Sequence, residues 1–562
     1  KQLLQELTLA LHAGRRYLII DDSNLNENPV RRLTRQMKEF YWKNLTQVTN
    51  GANLEKVLQD PKDWTPRPRP RIYIPRSQPF LHDYYTSLAQ QQPSCDLDVQ
   101  WLPSNDIPAF AAGKYEHPGL VVLSHREAAA NRDENGETSI RSVPFVVPHG
   151  HAHEFHGWQS YSTFLGLLAQ DETDLAEAMI ENYCFCIHHY GRVPQSGRLH
   201  HMTQSQPPFL TSMALSLYNK LSDRASALKM LETAIAAAIK EYYTVWMAPP
   251  RWDPVSRLSR YASEGTTIPQ EEELAPFVPI LKPLAERRNL TIDEFVIAYN
   301  SRQILEPELD EYLRHYRASM ESGHHRSNRM EGVAADIATV DLNCLLYKYE
   351  VDIADAISTC FSGRLDVPVD YSYPYESGFQ PPGRETSAKW RVYAHNRQVC
   401  MNKFMWDEWQ GMYFDYNTKT FQRTSYESVT TFWALWAGVS RPAQAAEMAI
   451  RALPEFEADG GLLSGTRRSR GEHHLNLEPL AWDYPNGWAI HQMLAWDGLV
   501  RYGYTVEAHR LAYKWLYMVT TVFHDYNGVV TDQYDITRRD DAHRSQPHSR
   551  IGKEFKGVNL EG

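Results

Sequence analysis

The chain has 562 residues, 42% hydrophobic and 23% charged, which supplies enough apolar side chain for a large folded core. A net charge of −11 excludes the basic face of a nucleic-acid binder, and the longest apolar runs fall far short of a membrane span. Six cysteines, with no C-x-x-C pair and with Cys184 and Cys186 too close to bridge, fit a reduced, intracellular protein. The chain opens on Lys1 rather than Met, so its lack of a signal peptide carries little weight.

Residues 1–66 are expected to form N-terminal helices: an amphipathic one over 1–14 and another over 28–49, with Pro29 just inside its start. Over 67–148 the pattern becomes mixed and loop-rich. Short β-type runs at 71–75, 98–103, 119–124 and 143–148 are separated by Pro, Gly, Asn and Asp clusters. From about Ser160 helices dominate. The segment 173–190 opens on a Thr/Asp pair, places Leu175, Met179, Tyr183 and Ile187 on one face, and stops at Gly191. Similar segments follow at 210–221, 224–243, 336–361, 387–402, 430–439, 442–452, 488–502 and 505–521.

Tight connectors such as Ser440-Arg441 alternate with long Pro/Gly/aromatic loops at 363–386 and 454–487. Helix pairs with long loops on one rim suit an (α/α) barrel over 149–562, in which the loops build the site. A helical solenoid is the alternative, but no fixed repeat of about 34 or 42 residues is present. The fold class expected is therefore mainly α, with a small mixed N-terminal part.

Several motifs then become specific. Gln204-Ser205-Gln206-Pro207-Pro208-Phe209-Leu210-Thr211 is similar to the trehalase segment RSQPPFLT. Trp482-Asp483-Tyr484-Pro485-Asn486-Gly487-Trp488 matches QWDYPNGW apart from the leading Gln, and the stretches at 335–354 and 432–438 resemble fungal neutral trehalases. The resemblance runs from Leu3 to Gly557. It implies glycoside hydrolase family 37, an (α/α)6 toroid with a central funnel, an inverting mechanism, a small-molecule substrate, no cofactor, and a cytosolic fungal origin.

An inverting glycosidase needs a carboxylic acid and a carboxylate base, roughly 6.5–9.5 Å apart. The family's acid is the Asp of ESGHD, which here reads Glu321-Ser322-Gly323-His324-His325. Its base is a Glu in HRVDAEYGNQG, aligned across a one-residue deletion with His548 in the run from His543 to Arg550. The family's PGGRFNELYGWDS appears as the run from Pro148 to Ser160, placing His151 for Arg, Ala152 for Phe and Gln159 for Asp. Gln204 stands for Arg and Ala481 for Gln, whereas Glu154, Trp158, Gln206, Arg260, Glu271, Arg329, Asp483 and Trp488 are retained.

Each lost hydrogen bond to a charged group is worth about 1.5–3 kcal/mol, and each missing acid or base about 10²–10⁴-fold in rate. Imidazole, with an ordinary pKa of about 6.5, both donates and accepts protons near neutrality. The expectation is that trehalose hydrolysis has been lost. His325 and His548, with Asp483, would then act as acid and base on a less polar molecule held against Trp158, Trp482 and Trp488, giving a cyclase, isomerase or dehydratase of fungal biosynthesis. Two alternatives are a binding or regulatory pseudo-glycosidase and a residual α,α-trehalase.

His149, His151 and His153 have the alternate spacing of a metal site on a strand, but histidines without metal are commoner, and no metal is assigned. His200-His201 and His473-His474 are expected on rim loops. Asp483, Glu154 and Glu271 are read either as groups facing the cavity or as carboxylates tying loops together.

Overall fold

The computed structural model describes residues 2–538 except 13, 19, 21, 50–53, 59–68, 103–117, 133–137, 149–152, 157–159, 266, 270–273, 371–382, 472–478, 527 and 529. Inner helices Ser160–Ala169, Leu210–Lys220, Val340–Thr359, Trp433–Ala437 and Ala489–Arg501 pack side by side in a ring. Each is followed by an outer partner: Thr173–Tyr190, Arg224–Glu241, Ser387–Phe404, the Pro442–Glu447 helix with its continuation, and Thr505–Asp525. This alternation is the winding of an (α/α)6 barrel. The segment from Pro29–Gln36 through Trp42–Leu45 packs against the barrel between its first and last helix pairs. Arg32 lies over the Phe523 ring at 4.7 Å, while Trp42 packs on Gly166 and donates to Gln170 at 2.7 Å.

Local chemistry explains several of the helix ends. Asn28 accepts from the N–H of Val30 with Pro29 in the first turn, Asp223 accepts from Ala225 and Ser226, and Thr339 caps Val340–Thr359. Gly191 takes a left-handed φ of 77° to end Thr173–Tyr190 as expected, though Glu172 makes no side-chain cap at its start. The helix expected over 28–49 stops at Leu45, because Thr46 and Gln47 pair with Val146 and Phe145. Helices expected over 224–243 and 442–452 pass into five-residue π turns at Tyr242–Trp246 and Met448–Ala452, which helical periodicity does not reveal.

Arg71–Ile74, Asp98–Trp101 and Leu120–Val121 form a small parallel sheet with Arg71–Ile74 in the centre. A helix over Pro79–Gln91 connects the first two strands and was not foreseen; a parallel pair requires such a crossover. Three further helices, Val278–Arg287, Ile292–Asn300 and Pro307–Ser322, were also missed. They surround a second core of Phe277, Leu281, Phe295, Leu309 and Leu313, separate from the barrel core. No described helix is long and apolar enough to cross a membrane, and all six cysteines are free.

Candidate active site

The loops between inner and outer helices carry the polar chemistry. After Gly191 the chain folds into an antiparallel ribbon, with Pro194 bridged to Ser205, Gln195 N–H on the Gln204 carbonyl (3.0 Å) and Gln206 N–H on the Val193 carbonyl (2.9 Å). Side chains alternate across such a ribbon, so Gln195, Gln204 and Gln206 share one face. Gln206 Nε2 donates to the carbonyls of Pro194 (3.0 Å) and Gln195 (2.8 Å), which fixes its amide. The Oε1 atoms of Gln195, Gln204 and Gln206 are buried without a partner. Orphaned acceptors of this kind are costly unless a ligand or water supplies donors. Sequence reasoning named Gln204 and Gln206 but missed Gln195, whose place opposite Gln204 depends on the ribbon's register.

Helix Pro307–Ser322 ends in Gly323 at φ 73°, which turns the chain so that the next two residues are His324 and His325. Glu321 anchors this turn to the ribbon: it accepts from Ser205 N–H (2.9 Å), Ala262 N–H (2.8 Å) and Arg251 (2.5 Å). His325 is partly exposed, whereas His324 is buried. The His324 ring stacks on His491 with centroids 5.2 Å apart and meets Trp482 edge-on at 4.7 Å. Trp433 donates its indole N–H to His491 Nδ1 at 3.1 Å.

Burial pushes His324 down to about 4, despite Asp341 nearby, and pushes His491 well below the ordinary range. Both rings are therefore neutral, and neither was singled out from sequence. For a histidine depressed in the folded state, stability is full above the unfolded pKa of about 6.5 and lost as pH falls through the folded value. The protein is expected to lose urea resistance between pH 6.5 and 4, and His491→Phe to reduce that slope.

Behind this pair, Arg329 is buried between two aspartates. It reaches Asp415 at 2.7 and 2.8 Å and Asp341 at 2.5 Å; Asp341 also accepts from Tyr261 (3.0 Å), and Asp415 from Val340 N–H (2.9 Å). Both Asp483 oxygens are engaged, Oδ1 by Ser327 (2.7 Å) and Tyr426 (2.6 Å), Oδ2 by Asn328 N–H (2.9 Å). This geometry ties the 327–328 turn to the Trp482 loop. Asp483→Asn turns an acceptor into an amide donor facing one of these donors. It is expected to cost about 1.5–3 kcal/mol, read by urea unfolding.

Glu154 pairs with buried Arg198 and with His156, each at 3.4 Å; burial alone would raise its carboxyl, but these partners hold it well below the usual range. Arg260 donates to the Pro250 carbonyl (3.1 Å) and to Thr418 (2.8 Å). Trp482 and Trp488 stack on each other at 3.8 Å, with the Trp488 N–H on the Ala481 carbonyl (2.8 Å). His200 and His201 lie between helices Thr173–Tyr190 and Leu210–Lys220 and are buried, with His201 bonded to Ser196 at 2.7 Å. His149, His151, Trp158, Gln159, Glu271, His473, His474 and His548 lie outside the described residues, and with them the question of a three-histidine metal site.

Among the described residues one other group, Glu311, His315 and Asp336, has ligand spacing. Arg314 bonds both carboxylates, and His315 Nδ1 accepts the Ala335 N–H at 3.2 Å. The remaining ring nitrogen of the neutral imidazole then carries hydrogen and cannot bind a cation, so this cluster is an ion-pair network.

A helical barrel whose loops carry orphaned acceptors, buried histidines and stacked indoles is the architecture of barrel-type enzymes with a loop-built site. The family model described as trehalase matches residues 12–562. The chain is 50% identical over 564 residues to the cytosolic neutral trehalase of Neurospora crassa, covering 100% of this chain and 75% of that protein. It is 49% identical over 561 residues to that of Emericella nidulans, covering 100% and 74%. Neutral trehalase from Saccharomyces cerevisiae superposes with a TM-score of 0.84 at 44% identity, covering 91% of each chain.

The chain belongs to the trehalase family, a family of glycoside hydrolases. The expectation of a repurposed non-hydrolytic catalyst, whether cyclase, isomerase or dehydratase in biosynthesis, and that of a pseudo-glycosidase are overturned by these full-length identities to named trehalases. A few replaced positions weigh less than the whole scaffold that surrounds them.

Proposed function

We propose that this chain is a cytosolic α,α-trehalase that hydrolyses trehalose to glucose. The observation that carries this reading is identity of about one half, along the whole chain, with relatives named cytosolic neutral trehalases. In this reading the Gln195, Gln204 and Gln206 face accepts hydrogen bonds from sugar hydroxyls, which supply the donors that its three orphaned oxygens lack. His151, Glu154, Trp158, Gln159, Arg260, Glu271, Arg329, Trp482 and Trp488 bind the sugar or hold the loops that do. His325 protonates the leaving oxygen and His548 serves the attacking water, while Asp483 fixes the turn two residues after His325. Residues 149–562 form the catalytic unit, against which 1–66 and 67–148 pack.

The test is glucose release from trehalose by the purified protein, beside calorimetric titration with trehalose. Glucose release that is lost in His325→Ala supports the reading. Absence of both turnover and binding heat overturns it.

A further inference from the structure

Glu241, at the end of helix Arg224–Glu241, is a carboxylate that the proposed chemistry does not use. It is 1% exposed. Tyr349, on inner helix Val340–Thr359, donates its hydroxyl to Glu241 Oε2 at 2.9 Å and accepts the N–H of Leu210 at 3.1 Å. The backbone N–H of Val193 also acts on the carboxylate. Val193 and Gln206 are paired across the ribbon, and Leu210 is the first helical residue after it. One buried carboxylate therefore holds both ends of the segment that presents Gln195, Gln204 and Gln206.

We propose that Glu241 is a proton-linked positioning residue for this ribbon, setting how its amide face meets the substrate; the substrate part of this inference rests on the trehalase reading above. The ionised carboxylate has acceptor capacity on both oxygens for Tyr349, Val193 and Trp246 at once. The neutral acid presents one carbonyl oxygen and one O–H. Whichever oxygen takes the proton, the donor facing it, Tyr349 on Oε2 or another, then meets an O–H instead of an acceptor, and one hold on the ribbon's ends is lost.

Burial brings Glu241 up to about 7, against Tyr349, Val193, Trp246 and Arg192, which favour the charge. The other titratable groups acting with it are Tyr183 and Cys184 on helix Thr173–Tyr190, both raised by burial and neutral at this pH. Arg192 is itself committed to Glu264 (3.0 Å) and the Thr203 carbonyl (2.9 Å). The change of state thus falls within the neutral range, and the ordered ribbon belongs to its alkaline side.

The experiment is hydrogen–deuterium exchange of the ribbon peptides of the whole protein at pH 6 and pH 8, corrected for intrinsic rate, beside KM for trehalose across the same range. The parent is expected to protect the ribbon several-fold more at pH 8, and its KM to rise several-fold as pH falls to 6. Glu241→Gln, an isostere of the neutral acid, is expected to show the pH 6 exchange and the pH 6 KM throughout. Tyr349→Phe removes one donor but keeps the carboxylate, and should move the transition to higher pH.

Ribbon exchange that is independent of pH in the parent, or still pH-dependent in Glu241→Gln, overturns the proposal. So does a transition unmoved in Tyr349→Phe. A ribbon that follows Glu241 in a protein releasing no glucose upholds the clamp and rejects trehalose as substrate.

Discussion

His325→Asp is expected to raise trehalose turnover by about 10²-fold at neutral pH, measured as glucose release per enzyme. The transition state of glycoside cleavage carries positive charge on the sugar ring. A carboxylic acid that has given up its proton leaves an anion beside that charge and stabilises it. An imidazolium begins as a second cation there and ends neutral, so it supplies a proton without electrostatic help. The partial exposure of His325, on the loop that Gly323 turns out of its helix, leaves room for the shorter side chain. His325→Ala should lose turnover that His325→Asp gains. An unchanged or lower rate in His325→Asp, with far-UV and near-UV dichroism intact, would remove residue 325 from the proton-donor role.

Arg329→Met is expected to cost about 3–5 kcal/mol of stability, the largest effect of any single substitution considered. Arg329 is 4% exposed and Asp341 is fully buried. Burial alone would raise Asp341, but Arg329 and then His324 outweigh it and bring it down to about 2. A carboxylate depressed in this way stabilises the fold above its unfolded pKa of about 3.8, and that contribution is lost as pH falls towards 2. Removing the guanidinium leaves Asp341 and Asp415 buried without their cation, at the base of the loop that carries His324 and His325.

The check is urea unfolding of the parent, Arg329→Met, and the double variant Arg329→Met/Asp415→Asn. The double variant should recover part of the loss, because one uncompensated charge has gone. A single variant as stable as the parent would mean that Tyr261 and the Val340 N–H suffice for the two aspartates.

Sequence patterns carried the barrel because each of its helices is written locally. The segment 173–190 has a buried face at helical spacing and a glycine at its end, and it folds with those limits. The helices at 278–322 were not seen although Thr291 and Glu294 form a capping box at the start of one of them. That pair is the local sequence signal of its start. The crossover helix Pro79–Gln91 was hidden for another reason: it lies among strands, and only the parallel pairing of Arg71–Ile74 with Asp98–Trp101 demands a helix there.

Family and fold were legible from the sequence because motifs such as Gln204 to Thr211 and Trp482 to Trp488 are contiguous, and contiguous residues need no tertiary structure to be recognised. The state of each site residue was decided by the tertiary structure alone. Sequence leaves Asp483 open between a cavity-facing group and a carboxylate that ties a loop; Tyr426 and the 327–328 turn, 57 to 156 positions away along the chain, take up both its oxygens. Gln195 reads as an unremarkable loop amide, yet ribbon register sets it beside Gln204 with its oxygen unpartnered. Hydrogen bonding and burial depend on which distant groups the fold brings within about 3 Å, and that pairing is absent from local sequence pattern.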